Sequence, residues 1–530
     1  MHKLRLACGI MMVVGALLAE ARADVSLPKF FTDNMMLQRD KAIRVWGWAA
    51  PGEEVQVALA GKMAATKADD EGRWSTELPA MKGGEKLELT VTGKNTITLK
   101  NVIVGDIWLC SGHANMWIGL GDYDGCPVSL NAAEDCKTAD FPQIRAVRLK
   151  HVTSNSPAGD CDIIANWEVC SPQTAARITA AGFYFAREIF GKTGVPIGIV
   201  DVSWSGTPID SWVPQEGMEA VPELKDACDK RQKVIADYCT LQVTKYLEDS
   251  DRWIAATRES LAKGTTLPMP PGNFPTLAGS DNWCSRYNAM VNPLIHLPIK
   301  GALWYPQDEA NGAQGDAYYD KMRALVAGWR KNWGQGDFPF YSVQLAALGE
   351  ANEDPAGGDG CAKVRCAQAR ALAIPNTGMA VSIDLVEKDK THPIYKCDVG
   401  LRLARWALAR DYGQKDRVVS GPIFKELKIE GDKARISFGY TGSGLIVGKK
   451  EGLAPTIEDK EGKLKRFALA GEDKKWHWAD AVIDGHSVVV SSPDVKNPVA
   501  VRYAFSGNPA GANLYNREGL PASPFRTDDW

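Results

Sequence analysis

The 530-residue sequence predicts an α/β fold: a parallel sheet with helices on both faces and a β domain on either side of it. Three observations predict it. Between about residues 101 and 415, short apolar runs alternate with helical patterns. Before that stretch, strands of alternating apolar and polar residues follow one another. After it they do so again. The length exceeds one ordinary hydrophobic core, so several domains are expected.

In residues 24–100, "AIRVWGWA", "EEVQVALA" and "KLELTVTG" alternate in polarity, and "APGEE", "ADDEGR" and "KGGE" supply the turns between them. That spacing predicts a small β-sandwich. In residues 101–415 the apolar runs are "VIVGDIWLC", "VPIGIVDVSW", "IKGALWY", "FPFYSVQLA" and "GMAVSIDL". Helical stretches such as "TAAGFYFAREIFGK", "YYDKMRALVAGWRKNW" and "KCDVGLRLARWALARDYG" come between or after them. Strand–helix alternation argues for a parallel sheet buried on both faces. A charged, helix-compatible insert runs from about 215 to 265, and a proline-rich loop follows it. Residues 416–530 form a second β domain, and its aromatic tail "NLYNREGLPASPFRTDDW" needs docking to be ordered.

Residues 1–23 read as a secretory signal peptide. Lys3 and Arg5 form the positive end, Leu6 to Leu18 is a short apolar stretch, and Ala21 and Ala23 frame a cleavage site. No other segment has eighteen uninterrupted apolar residues, so no membrane span is expected. The chain is therefore expected in the periplasm or outside the cell. A net charge of −3 gives no electrostatic argument for nucleic acid as a partner. Of twelve cysteines, eleven follow the cleavage site. In an oxidising compartment, disulfides are expected among Cys126, Cys136, Cys161 and Cys170 and in the close pairs Cys228/Cys239 and Cys361/Cys366. The odd count leaves a free thiol, with Cys110 and Cys284 as candidates. There is no C-x-x-C and no H-E-x-x-H, so neither a zinc site nor any other cofactor is expected.

Ligands of parallel sheets bind at the carboxyl ends of the strands, near a topological switch point. Four loops follow such ends: "SGHANM" (111–116), "SWSGTPIDSW" (203–212), "WYPQDEANG" (304–312) and "EKDKTHPIYK" (387–396). Asp389 and His392 have the spacing by which a carboxylate orients an imidazole base. Spacing alone favours the plainer reading, an exposed loop histidine before a helix-starting proline. Gly206 offers a backbone N–H to an oxyanion, and Asn311 a side-chain N–H; each is also an ordinary turn residue. Trp117, Trp204, Trp212 and Trp304 fall in or beside these loops, where core packing and sugar stacking are both open.

Taken together, the four loops resemble the four blocks of the SGNH (GDSL) hydrolase superfamily. The whole chain from about Leu27 to Trp530 resembles the bacterial sialate O-acetylesterases. "LPKFFTDNMMLQRDKAIRVWGWAAPGE", "VPIGIVDVSWSGTPIDSW", "RYNAMVNPLIHLPIKGALWY" and "NLYNREGLPASPFRTDDW" carry that resemblance. It implies a flavodoxin-like hydrolase domain with accessory β domains, acting on O-acetylated sugars or glycans. The family's first block reads G-Q-S-N-M, with serine as nucleophile. Here it is Gly112, His113, Ala114, Asn115, Met116, so the nucleophile position holds alanine. The resemblance places oxyanion donors at Ala114, Gly206 and Asn311. It places the base and its orienting acid at His392 and Asp389. Substrate contacts fall at His113, Asn115, Trp204, Gln307 and Glu309. The third block is rearranged by Pro306, and Lys390 stands where many relatives have the acid.

Losing a serine nucleophile leaves binding groups but removes most of the rate. A weakly active or inactive glycan-binding member is therefore the first reading. An active acetylesterase using a nonstandard nucleophile or a water is the second, with Ser111, Cys110 and His113 as its candidates. A structural or adhesion protein is the third. The residues leave the acyl group, the sugar and the oligomeric state open.

Overall fold

The computed structural model describes residues 24–84, 86–121, 129–273, 283–306, 315–385 and 392–530. The expected signal peptide lies outside them, as do Cys126, Gln307, Glu309, Asn311 and Asp389. Among the described residues, no helix is long and apolar enough to cross a membrane.

The amino-terminal strands are β1 (Met36–Gln38), β2 (Ile43–Trp48), β3 (Glu54–Leu59), β4 (Lys62–Lys67), β5 (Arg73–Leu78) and β6 (Lys86–Thr92). β2 pairs with β5, and β3 lies between β4 and β6. Period-two patterning sets the faces: Val55, Val57 and Leu59 are buried, while Glu54 and Gln56 are exposed.

The next strand, β7 (Thr96–Gly112), joins two sheets. Its first residues pair antiparallel with β6. From Asp106 it pairs parallel with β10 (Ile197–Asp201), and from Trp108 with β11 (Gly301–Tyr305). Its burial changes accordingly, from partly exposed near Thr96 to fully buried through Gly112. The expected domain boundary near residue 100 thus falls inside one continuous strand.

The central sheet adds β8 (Phe141–Arg148), β9 (Glu168–Cys170), β12 (Phe340–Val343) and β13 (Thr377–Ala380). Its order is β13-β12-β11-β7-β10-β8-β9, parallel except at β8/β9. The chain winds to one side of β7 through β8 and β10, then to the other through β11. The switch point is therefore between β7 and β11. Alternate residues of β7 face opposite cores. Ile107 and Leu109 join Trp304, Phe340 and the helices α3 (Tyr318–Trp333) and α4 (Gly360–Arg370). Trp108 and Cys110 join α2 (Ala180–Thr193) and α5 (Lys396–Arg410) through Phe185, Leu403 and Trp406. The insert opens with a short helix, Gln215–Glu219, and continues as two longer ones, Lys225–Asp237 and Thr244–Lys263, joined by a π-helical stretch.

The carboxyl-terminal region is built of small antiparallel sheets around Ile436, Phe467, Leu469, Val488, Tyr503 and Phe525. The tail is docked. Leu514–Asn516 pairs with Leu445–Lys449, and Phe525–Arg526 pairs with Ala500–Tyr503. A buried Arg502–Asp528 fork, at 2.9 and 2.6 Å, closes it.

No disulfide joins the ten described cysteines to one another, which corrects the expected bridging among them. Cys228 and Cys239 sit eleven residues apart on nearly continuous helix, about 16 Å along the axis. A disulfide needs Cα atoms within roughly 7 Å. Cys361 and Cys366 share α4 at a separation of five, which turns them about 140° apart.

Arg365 of α4 fastens the central sheet to the carboxyl-terminal region. It is fully buried and donates to the carbonyls of Leu345 (2.8 Å), Ala346 (2.7 Å), Ser506 (2.6 Å) and Gly507 (2.8 Å). Arg365→Met keeps the stem and abandons four acceptors. It should lower unfolding stability by about 3 kcal/mol or more, measured by guanidinium denaturation.

Candidate active site

The cleft at the carboxyl edge begins at Gly112. Its φ is +124°, a region that side chains avoid, and a Cβ there would lie 2.3 Å from the Tyr305 carbonyl oxygen. The close approach allows two backbone bonds across three loops: His113 N–H donates to Tyr305 O (2.9 Å), and Trp204 N–H donates to Gly112 O (3.0 Å). Immediately after, His113 caps the short helix α1 (Ala114–Trp117). Ala114 is buried, and its N–H donates to nothing among the described residues. The side chain presented at this junction is a methyl group.

The second loop is held by its own polar groups. Asp201, at the end of β10, accepts from Ser203 N–H (2.9 Å) and Oγ (2.5 Å), and Arg148 Nε binds its other oxygen at 2.7 Å. Thr207 Oγ1 donates to Trp204 O and accepts from Trp212 Nε1. These bonds raise Gly206 on a left-handed turn, φ +70°, at the exposed rim. Its N–H is not idle: it donates to His113 Nε2 at 2.7 Å.

His113 is 8% exposed. Burial first, and then the neighbouring His392, lower its pKa to about 4. His392 itself is half-buried and lowered, by burial and by the Lys396 charge. Lys396 is buried and spans the loops. Its ammonium donates to Pro393 O and Asn115 Oδ1 and lies 5.5 Å over the Tyr305 ring. It thereby fastens the turn after His392 to the first loop. The structure thus brings His113, Ala114, Asn115, Gly206 and His392 together.

The tryptophans divide. Trp212 and Trp304 are core residues whose N–H groups bind Thr207 Oγ1 and Tyr318 Oη. Trp204 and Trp117 are half-buried at the cleft. His151 stacks on Trp204 at 4.6 Å and 7°, and the Arg286 guanidinium lies 4.5 Å from the same ring. Cys110 faces α2, where burial pushes its thiol well above the usual range, and Ser111 is fully enclosed. Sequence reasoning missed His151. Its signal was its place just past the carboxyl end of β8, the same position that marks the other loops.

A structure solved for a carbohydrate acetylesterase from Xanthomonas citri superposes with a TM-score of 0.77 at 32% identity, covering 96% of this chain and all of that one. The chain belongs to the sialate O-acetylesterase family. The family model for carbohydrate esterase, sialic acid-specific acetylesterase, matches residues 280–409, the stretch that carries Trp304, Tyr305, His392 and Lys396. Sialate O-acetylesterases of Rattus norvegicus and Homo sapiens are 25% and 24% identical over 93% and 94% of the chain, and over 93% and 91% of their own lengths.

An unfolded histidine takes up its proton near pH 6.5, whereas folded His113 does so only near 4. Between those values the unfolded chain holds a proton that the folded chain lacks. The His113 contribution, on the order of 3 kcal/mol, is therefore full above pH 6.5 and lost as pH falls toward 4. Urea unfolding across this window should show that slope, and His113→Gln should reduce it, leaving the part due to the other buried histidines, His151, His296 and His392. A His113 imidazole titrating near 6.5 by NMR would contradict the burial.

Proposed function

We propose that this chain is an exported member of the sialate O-acetylesterase family that binds O-acetylated sugars or glycans and hydrolyses them weakly or not at all. Ala114 carries the reading. It sits where the first, second and fourth loops converge, and in the family's block that position supplies the hydroxyl which attacks the ester. A methyl group cannot form the acyl-enzyme. His392 is the retained base, Gly206 and the Ala114 amide the oxyanion donors, and His113, Asn115 and Trp204 the ligand contacts. Asp389, Asn311, Gln307 and Glu309 complete the set by the family's pattern. The amino-terminal leader supports export to the periplasm or the exterior.

The second reading needs another nucleophile, and the candidates fare poorly. Cys110 is buried against α2 with its thiol held neutral, and Ser111 Oγ is buried without a partner among the described residues. Neither opens into the cleft.

Purified protein should turn over p-nitrophenyl acetate and acetylated sugars at or near the uncatalysed rate and should resist serine-directed fluorophosphonate. Turnover of ordinary enzymatic size, abolished by His392→Ala, would overturn this reading. Glycan binding should persist without turnover, and Trp204→Ala should weaken it by tenfold or more in calorimetric titration. Absence of any saturable glycan signal would favour a structural role instead.

A further inference from the structure

One bond in the cleft opposes the chemistry its surroundings are built for. Gly206 donates its N–H to Nε2 of His113 at 2.7 Å. That bond assigns the tautomer: Nε2 is the acceptor, so the proton of the neutral ring is on Nδ1. Nδ1 is itself buried and has no partner among the described residues. The ring therefore keeps its bond to Gly206 while its single donor finds no partner among the described residues, a combination that native interiors seldom retain. The acceptor side of the contact is buried, since His113 is 8% exposed, while Gly206 itself lies at the rim. Gly206 has nothing within 4 Å of its Cβ position. Space beside the loop is therefore open, and what the loop lacks is a free N–H.

We propose that His113 closes the oxyanion pocket of this chain, so that esterase chemistry is blocked twice: position 114 has no hydroxyl, and the Gly206 N–H is taken. The inference rests on the reading of Gly206 as an oxyanion donor. Such a donor helps only when it points, unoccupied, at the atom where negative charge develops. An ester carbonyl would have to displace an imidazole nitrogen that already satisfies the same N–H. With Gly206 capped, the Ala114 N–H is the one donor of the described pair left for an incoming oxygen. Restoring serine at position 114 alone therefore restores a nucleophile without a complete pocket. Position 113 is a positioning residue in this scheme. It acts on the reaction through Gly206, without touching the scissile bond.

Two measurements test this. In 15N-labelled natural protein at pH 7, His113 should show the Nδ1–H tautomer, and the Gly206 amide should exchange slowly with solvent. In His113→Phe, which keeps the ring's bulk but has no acceptor, that amide should exchange faster. An Nε2–H tautomer, or unchanged Gly206 exchange in His113→Phe, overturns the proposal. The second measurement compares fluorophosphonate labelling of Ala114→Ser with that of Ala114→Ser/His113→Ala. The double variant should label about a hundredfold faster, the usual scale for one oxyanion donor. Equal rates in the two variants also overturn it. If neither variant labels while NMR shows the bond, the contact stands and the esterase reading of Gly206 fails instead.

Discussion

The backbone at Gly112 passes so close to Tyr305 that any side chain there would overlap the Tyr305 carbonyl, and the cleft depends on that approach. It lets β7 run to the rim of the sheet beside β11 and turn at once into α1. The amide of His113 is then taken by β11's last residue, and the carbonyl of Gly112 by the second loop. Three strand ends are locked together by backbone alone. Side chains at 113, 114 and 115 are consequently placed by the turn, whatever their identity. Alanine at position 114 is therefore held at the turn by backbone geometry.

Around that turn the polar groups are arranged to stay fixed. Lys396 ties the first loop to the fourth, and Asp201 with Arg148 ties the second loop to the end of β8. Burial keeps the imidazoles of His113, His151 and His392 toward their neutral forms. Neutral imidazoles beside the turn suit a neutral ester or sugar.

The amino-terminal and carboxyl-terminal β regions support the cleft from outside. β7 carries the first region's packing directly into the central sheet. Arg365 binds the segment after β12 to residues 506–507, and the docked tail supplies Ser523 Oγ to Gln344. The aromatic tail is thus part of the fold, held by strand pairing and buried polar bonds.

Much of this was legible in the residues. Alternating polarity marked the flanking strands, apolar runs followed by helical patterns marked the parallel sheet, and the loops after β7 and β10 marked residues that the fold brings together. Local pattern suffices there because burial on one or both faces dictates which residue types recur, and at what spacing. The alanine at position 114 is likewise a fact of sequence. The rest depended on contacts between residues far apart in the chain. That β7 belongs to two sheets, that Cys228 and Cys239 cannot meet, and that Trp212 and Trp304 are core while Trp204 lines the cleft follow from pairing and packing. His151 drew no attention because no motif surrounds it. The bond from Gly206 to His113 joins residues 93 positions apart, and no spacing rule announces it. Periodicity and motif determined the architecture and the alanine at position 114. Only the folded chain, by bringing one imidazole against one backbone N–H, decided the state of the pocket beside it.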